Sequence, residues 1–379
     1  MQRNSERKML GKRQELIMAN SYEIEVQAQP SIYLPKERTM KIAFSEPEAG
    51  VDKETGILLI IAGYGGQLSS NVYTKMRNQF ADDYNLMTVQ CDYFGYQYMG
   101  NDYPVVVDDE LLKSSLSVAE LELLNRDYER YKHILQGKVF TQDIELGETP
   151  SDFNDMGLMQ AIDNVRAVKI LLDIIKENGY SINEKRIYAY GFSHGGYLAY
   201  LCNAMWPGLF TGIIDNSAYL FPFFLKIPRK FNVFQENIQI EQKMEYKALE
   251  YVKDEQIMEL PHIYSQFDNK AQILCYAGET DDMISLEDKK AFLNKVEHTN
   301  VATVTRYNMN REYFTTTGHG LGADFVKLFR LAYDSFLESE TYKCKQHKIT
   351  MEDVEYETDM FRYKVMWEDG IPVLKRDKK

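Results

Sequence analysis

The fold is decided by the stretch Lys185-Arg-Ile-Tyr-Ala-Tyr-Gly-Phe-Ser-His-Gly-Gly-Tyr-Leu-Ala-Tyr-Leu-Cys-Asn-Ala-Met205. Residues 187–190 form a short β-branched and aromatic run typical of a buried strand, and residues 199–205 have helical character. Between them lies Gly191-Phe192-Ser193-His194-Gly195, a G-x-S-x-G pattern on a strand-to-helix turn. The pattern predicts that Ser193 stands at the carboxyl end of a parallel strand.

A serine in such a turn can act as a nucleophile. Its hydroxyl must be lifted clear of the sheet, which forces a tight turn that side chains at positions 191 and 195 would crowd. The following helix aims its first backbone N–H groups, beginning with that of His194, at the place where a carbonyl oxygen would gain charge. The competing interpretation is a glycine-punctuated loop that contains serine by chance. The strand-turn-helix setting favours the nucleophile.

Length and charge exclude several classes of protein. The 379 residues are 44% hydrophobic and 27% charged, which suits one large α/β domain with insertions or two domains. The net charge of −13 and the pI of about 5.1 would repel a phosphate backbone or an anionic membrane, so we expect no nucleic-acid partner. No run approaches the ~18–20 uninterrupted apolar residues of a membrane helix.

The cysteines and the N-terminus indicate a cytoplasmic location. Cys91, Cys202, Cys275 and Cys344 lack zinc-ligand spacing, and the first three lie in apolar runs typical of buried reduced thiols. Residues 1–20 are predicted to be a basic extension without the apolar core of a signal peptide. Whether Met1 or Met18 is the native start stays open.

A second glycine loop follows an earlier buried strand. Residues 56–62 form a continuous apolar run, as in a strand covered on both faces, and end in Gly63-Tyr64-Gly65-Gly66. Leu68 occupies the third glycine position of a G-x-G-x-x-G pattern, which disfavours a dinucleotide site. We therefore expect the backbone N–H of Tyr64 or Gly65 to be a second donor to a substrate oxyanion.

The acid and the base of a serine nucleophile should lie on loops at the same edge of the sheet. Asp281 comes just after the buried strand predicted at 272–277, and we favour it over Asp282 because it lies midway between Gly278 and Ile284. Asp282 is interpreted as a cap of the next helix.

His319 lies on a glycine-flanked loop after the next strand-like segment, so it is the predicted base. The other histidines are interpreted differently. His298 is near a helix end, His262 lies in an insertion, and His194 should line the pocket because it opens a helix. A histidine whose hydrogen bonds are satisfied within the loop is the alternative reading of His319.

The loop Gly278-Glu279-Thr280-Asp281-Asp282-Met283-Ile284 is similar to the acid loop of the prolyl-oligopeptidase and acylaminoacyl-peptidase branch of α/β-hydrolases. From about 40 to 338, insertions omitted, the chain resembles an α/β-hydrolase-fold serine hydrolase and an uncharacterised bacterial family of such proteins. Ala62-Gly63-Tyr64-Gly65 replaces the His-Gly of many esterases, and Ile61 replaces the tyrosine common in the peptidase branch. The absence of a propeller domain also argues against a peptidase.

The resemblance implies a mostly parallel, doubly wound α/β sheet at 21–339 with two insertions near the active site, at about 96–155 and 217–265. We expect helices at 117–135 and 241–257 within them. Phe221, Phe223 and Phe224 either line an acyl pocket or pack a loop core. Residues 340–379 are predicted to be a C-terminal extension with a β-hairpin at Asp369-Gly370.

These patterns predict a serine hydrolase that cleaves an ester of a small-molecule acyl substrate through an acyl-enzyme on Ser193. His319 would act as base and then acid, Asp281 would orient it, and His194 with Tyr64 or Gly65 would form the oxyanion hole. No metal or organic cofactor is expected. An acyltransferase to an alcohol or sugar, a small-peptide hydrolase and a non-catalytic binding protein remain alternatives, and the oligomeric state is not predicted.

Overall fold

A computed structural model describes residues 19–235, 238–339 and 347–379. Apart from residues 19 and 20, the predicted basic extension lies outside this described part, as does Cys344.

The strands and helices follow one another along the whole described chain. The strands are β1 Asn20–Ala28, β2 Arg38–Glu46, β3 Gly56–Ile61, β4 Leu86–Cys91, β5 Val139–Ile144, β6 Ile187–Phe192, β7 Gly212–Asn216, β8 Arg229–Gln235, β9 Ile238–Met244, β10 Gln272–Gly278, β11 Thr299–Val304, β12 Val354–Glu357, β13 Phe361–Glu368 and β14 Ile371–Lys378. The helices are α1 Asn71–Tyr84, α2 Asp109–Lys113, α3 Val118–Arg126, α4 Tyr128–Tyr131, α5 Leu158–Glu177, α6 His194–Met205, α7 Ala248–Tyr251, α8 Leu260–Tyr264, α9 Leu286–Leu293 and α10 Phe325–Glu338.

The central sheet has the strand order β1-β2-β4-β3-β6-β7-β10-β11. The pairs β1/β2 and β2/β4 are antiparallel, and the pairs from β4/β3 to β10/β11 are parallel. Helices join the parallel strands on both faces, as right-handed crossovers require. The predicted α/β-hydrolase fold is confirmed by this order.

Both faces of the central strands are apolar because both are covered. Leu58 and Ile60 of β3 pack with Phe80 and Phe329 on the face of α1 and α10. Ile57, Leu59 and Ile61, the alternate residues of the same strand, pack on the opposite face with α5 and α6. A strand that is buried on both faces has a continuous run of apolar residues instead of alternating apolar and polar ones.

The order of the strands positions the two glycine loops. The chain leaves β3 toward β4 on one side, while β6 pairs with β3 on the other. The loops that follow β3 and β6 therefore open a crevice at the carboxyl edge, the place where ligands bind in such sheets. The loop at Gly63 and the turn at Ser193 meet there.

The two insertions combine into one unit, which we call the cap. Its sheet has the order β5-β9-β8, with β5 from the first insertion and β8 and β9 from the second. It has an apolar cluster of its own, which joins Leu111, Leu121 and Leu124 to Phe140 and Ile240.

Two expectations about the cap are wrong. The helix expected at 241–257 is in part the strand β9, in which alternate residues are buried, followed by the one-turn helix α7. The helix expected at 117–135 breaks at Asp127, which ends α3 and caps α4 with its side chain. Glu, Gln and Lys favour helix locally, but pairing with β5 and β8 outweighs that preference in β9.

Residues 354–378 form a sheet of order β12-β13-β14, in which Asp369 and Gly370 make the turn between β13 and β14 with positive φ values of 50° and 78°. This sheet packs on the helical face of the domain, where the rings of Trp206 and Trp367 lie 4.6 Å apart. A domain boundary at residue 339 stays a prediction. In the described part of the chain, no helix combines the length and apolarity needed to cross a bilayer.

Candidate active site

Ser193 occupies a strained turn between β6 and α6. Its φ of 53° and ψ of −116° lie where L-residues are rare. A Cβ on Gly191 would lie 2.2 Å from the carbonyl carbon of Gly195, and one on Gly195 would lie 2.1 Å from the oxygen of Ile61. Only glycine fits at both positions, so the turn depends on the two glycines of the pattern.

The structure brings Ser193, His319 and Asp281 together in hydrogen-bonding order. The distance from Ser193 Oγ to His319 Nε2 is 2.8 Å, and His319 Nδ1 lies 3.1 and 3.0 Å from the two carboxylate oxygens of Asp281. The Asp281 side chain is 2% exposed and that of His319 16%. Since a carboxylate can only accept, Nδ1 carries the proton and Nε2 accepts from the serine hydroxyl.

The loops that carry the acid and the histidine are tied to each other. The backbone N–H of Thr280 donates to the carbonyl of Thr317 at 3.0 Å, and their hydroxyls lie 2.8 Å apart. A Cβ on Gly278 would lie 2.0 Å from that carbonyl oxygen, so glycine permits the approach. The spacing between Asp281 and His319 is thus fixed by backbone contacts.

The rival residues lie elsewhere. Asp282 is exposed and forms no hydrogen bond with His319. His262 approaches the carbonyl of Glu357 through Nε2 at 2.8 Å, in the contact between cap and C-terminal sheet. His298 has a φ of 61° and lies at the turn before β11.

For the predicted oxyanion donors, the geometry favours Tyr64 over Gly65. The N–H of Gly65 donates to the carbonyl of Met99 at 2.8 Å. Gly65, one of the two residues expected to donate to the oxyanion, therefore has no free N–H for that role. Among the hydrogen bonds of the described residues, the N–H groups of Tyr64 and His194 reach no protein acceptor. A Cβ on Gly63 would lie 3.6 Å from Cβ of Ser193, so the loop faces the serine closely.

The His194 side chain is part of a buried network that the sequence did not reveal. Gln160 donates through Nε2 to the carbonyl of Phe94 at 3.1 Å and to Asn154 Oδ1 at 2.8 Å, so its Oε1 faces His194. His194 Nε2 lies 2.5 Å from that oxygen and must carry the proton. His194 Nδ1 therefore accepts from the hydroxyl of Tyr219. In the sequence, Gln160 is one of several polar residues of an amphipathic helix, and nothing in that pattern indicates a contact with His194.

We expect this network to make stability depend on pH. Burial, with a smaller effect of the Arg229 charge, lowers the pKa of His194 from 6.5 to about 3. Between these values the unfolded chain binds a proton that the folded protein does not, so the His194 contribution is complete above pH 6.5 and is lost as pH falls toward 3. His194→Gln should lose this rise, so that the slope of its unfolding free energy against pH lies up to about 1.4 kcal/mol per pH unit below that of the wild type.

Urea unfolding of both proteins between pH 4 and 7 measures this difference. The comparison must be between the two proteins, because burial raises the pKa of Asp155 to about 6, and that group changes stability in the opposite direction between pH 4 and 6. Parallel curves for the wild type and His194→Gln would show that His194 has the same pKa in the folded and unfolded states, which would contradict the prediction.

The loop that carries His319 is also held by a hydrogen bond to Ser217, in the turn after β7. The hydroxyl of Ser217, which has a φ of 58°, accepts the N–H of Gly320 at 3.0 Å. The turn at Ser217 is fixed by Asp215, which accepts the N–H of Ala218 at 2.7 Å and pairs with the buried Lys289 at 2.7 Å. The sequence feature that could have indicated this support is the polar run Asp215-Asn216-Ser217 at the end of a buried strand.

The three phenylalanines separate into two places. Phe224 packs on Tyr64 with ring centroids 5.2 Å apart, and Phe223 packs on Tyr219 at 5.5 Å, so both lie beside the site. Phe221 instead lines a groove of about 770 Å³ between the cap and α9, to which none of Ser193, Asp281 and His319 contributes. Its placement in an acyl pocket with the other two is therefore not supported.

No group of three or more His, Cys, Asp or Glu side chains within the described ranges is arranged to hold a metal ion. The thiols of Cys91, Cys202 and Cys275 are free and buried, and burial raises the pKa of each.

Comparisons with known proteins give one family and several distant structures. A family model described as "Protein of unknown function (DUF2920)" matches residues 21–290, a range that contains Ser193 and Asp281 but ends before His319. No curated protein sequence matches the chain.

Among solved structures, the chain is similar to Est1E from Butyrivibrio proteoclasticus, with 13% identity and a TM-score of 0.44 over 81% of this chain and 96% of that one. It is also similar to a dienelactone hydrolase from Anabaena variabilis, with 14% identity and a TM-score of 0.42 over 84% and 97%. An acylaminoacyl peptidase from Pyrococcus horikoshii shows 11% identity and a TM-score of 0.49 over 88% of this chain and 43% of that one. At these identities the likeness says nothing about a substrate.

Proposed function

The chain belongs to the DUF2920 family of proteins of unknown function, and we propose that this member is a serine hydrolase that cleaves an ester of a small-molecule acyl substrate. The observation that supports the proposal most directly is the chain of hydrogen bonds from Ser193 through His319 to the buried carboxylate of Asp281. A serine on a strained turn beside an imidazole of fixed tautomer has the arrangement needed for nucleophilic attack.

The first half of the reaction forms an acyl-enzyme. His319 Nε2 takes the hydroxyl proton as Ser193 Oγ bonds to the carbonyl carbon of the ester, and Asp281 stabilises the imidazolium that results. The backbone N–H groups of His194 and Tyr64 donate to the oxyanion. The C–O bond of the ester then breaks, and the leaving alcohol takes the proton from Nε2.

The second half returns the enzyme to its starting state. Water replaces the alcohol, gives a proton to Nε2 and attacks the acyl carbon, and the collapse of the second tetrahedral intermediate restores the Ser193 hydroxyl and releases the acid. Each step uses groups of the chain and one water. An acyltransferase would differ only in replacing that water by an alcohol.

Labelling with a fluorophosphonate tests the proposal, because this reagent is attacked only by an activated serine. We expect one adduct per chain by intact mass, located by peptide mapping at Ser193 and absent after heat denaturation. Ser193→Ala should lose the adduct, and Ser265→Ala, which changes an exposed serine of the cap, should keep it. A folded wild-type protein that stays unlabelled would contradict the proposal, and product analysis with added alcohols separates hydrolysis from transfer.

A further inference from the structure

A buried cation with no ion-pair partner among the described residues lies beside the proposed oxyanion loop. Arg229, the first residue of β8, is 8% exposed. Its guanidinium donates to the carbonyl of Gly100 at 2.9 Å, to that of Met99 at 3.5 Å and to the side-chain oxygen of Asn101. All three acceptors are neutral, and none of the ion pairs in the described part of the chain includes Arg229. A buried charge in this state is costly unless something pairs with it.

The nearest acidic candidate is occupied elsewhere. Burial raises the pKa of Tyr103 and Tyr246, two tyrosines beside Arg229, and the charge of Glu148 is close enough to add to that rise. Its carboxylate accepts the backbone N–H groups of Asn154 and Lys247 and makes no ion pair with the guanidinium. Among the described residues of the cap, no carboxylate therefore forms an ion pair with Arg229.

Two phenol hydroxyls beside Arg229 also lack an acceptor for their protons. The hydroxyls of Tyr103 and Tyr246 are buried, and neither reaches a hydrogen-bond acceptor among the described residues. Burial raises the pKa of Tyr103 and raises that of Tyr246 to about 12, so both keep their protons near neutral pH. A guanidinium has five N–H donors, which is more than the oxygens of Met99, Gly100 and Asn101 and the nearby hydroxyl oxygen of Tyr246 can accept. The cluster thus offers donors and a positive charge, while the nearby Glu148 carboxylate accepts from backbone N–H groups instead.

The cluster adjoins the nucleophile through Tyr64. The guanidinium carbon of Arg229 lies 4.6 Å from the centre of the Tyr64 ring, and the same ring packs on His194 at 5.1 Å and on Phe224 at 5.2 Å. A Cβ on Gly65 would meet the amide nitrogen of Asn101 at 2.3 Å. Arg229, Asn101 and the oxyanion loop therefore form one continuous wall.

We propose that Arg229, with the hydroxyls of Tyr103 and Tyr246, binds an anionic group of the substrate, so that Ser193 acts on an ester that carries a carboxylate or similar oxyanion. The inference rests on the proposed hydrolase function and narrows its substrate class. A guanidinium pairs with a carboxylate through two parallel N–H donors, which also fixes orientation. The net charge of −13 disfavours such a substrate at long range, and the buried cation selects it locally.

Two pairs of matched esters test the inference on the wild-type protein. For a charge on the acyl side, 4-nitrophenyl hydrogen adipate is compared with 4-nitrophenyl methyl adipate. For a charge on the leaving group, 3-acetoxybenzoate is compared with methyl 3-acetoxybenzoate. We expect kcat/KM to be about 10- to 100-fold higher for the carboxylate in one of the pairs, as for hydrogen bonds to a charged group. The responding pair shows on which side of the scissile bond the anion lies.

Variants assign the preference to Arg229. Arg229→Gln should slow both members of the pair, because it also loosens Gly100 and Asn101, but it should reduce the carboxylate-to-methyl ratio to near one. Arg186→Gln is the control: Arg186 also donates to backbone carbonyls, those of Glu54 and Tyr84, but lies at the other end of the sheet and should keep the ratio.

The outcomes separate this inference from the proposed function. Wild-type protein that reacts with the fluorophosphonate but hydrolyses both members of each pair equally would overturn the inference alone. A ratio that survives Arg229→Gln would also overturn it. Protein that does not react with the fluorophosphonate contradicts the hydrolase, and calorimetric titration of Ser193→Ala with the two adipate esters then decides whether the anion site exists without turnover.

Discussion

Ser193→Ala is expected to lower kcat for a hydrolysed ester by roughly 10⁵- to 10⁶-fold, the largest effect of any single change to this chain. The attack on the carbonyl carbon needs the hydroxyl oxygen that lies 2.8 Å from His319 Nε2, and alanine has no atom there. The N–H groups of His194 and Tyr64 would remain, so a residual rate above that of water should persist. Steady-state kinetics with the ester that the wild type hydrolyses best measures the loss.

Ser193→Gly shows whether that loss is chemical or structural. Glycine also removes the hydroxyl, but it accepts the φ of 53° without the steric cost borne by serine or alanine. We expect Ser193→Gly to be as inactive as Ser193→Ala. Its free energy of unfolding, measured in urea, should be about 1 kcal/mol higher than that of Ser193→Ala. Substantial activity in either variant would mean that another residue is the nucleophile.

The parts of the site that could be predicted are those that follow from local rules. Gly191 and Gly195 identify the turn because no other residue fits it, and the run at 56–62 identifies a doubly covered strand because its residues are apolar on both faces. Asp281 and His319 could be chosen because loops after parallel strands meet at one edge. Each of these arguments needs only a few neighbouring residues.

The parts that could not be predicted depend on contacts between distant segments. The engagement of the Gly65 N–H depends on Met99 in the first insertion, and the partner of His194 is Gln160 on a helix. The strand β9 lies between β8 and β5, and β5 comes from about a hundred residues earlier in the chain. Arg229 has no local sequence signal, since its significance depends on which described carboxylates fail to pair with it once the cap has folded.

Asp281→Asn is expected to lower kcat by about 10⁴-fold, although asparagine has almost the same shape. In the wild type, Asp281 Oδ1 accepts the backbone N–H of Met283 at 2.9 Å, and Oδ2 lies 3.0 Å from His319 Nδ1. The Met283 N–H needs an acceptor, so it should orient the amide with its oxygen toward Met283 and its NH₂ toward the imidazole. His319 would then accept at Nδ1 and carry its proton on Nε2, where it cannot take the proton of Ser193.

Asp282→Asn removes one negative charge from the adjacent residue and is the matched control. Asp282 is exposed and makes no hydrogen bond to His319, so kcat should stay within about 2-fold of the wild type, since exposed charges interact weakly through water. If Asp282→Asn instead lost activity while Asp281→Asn kept it, the orienting acid would be Asp282. Fluorophosphonate labelling rates should follow the same order, because the reagent needs the same proton transfer from Ser193 to His319 but no particular substrate.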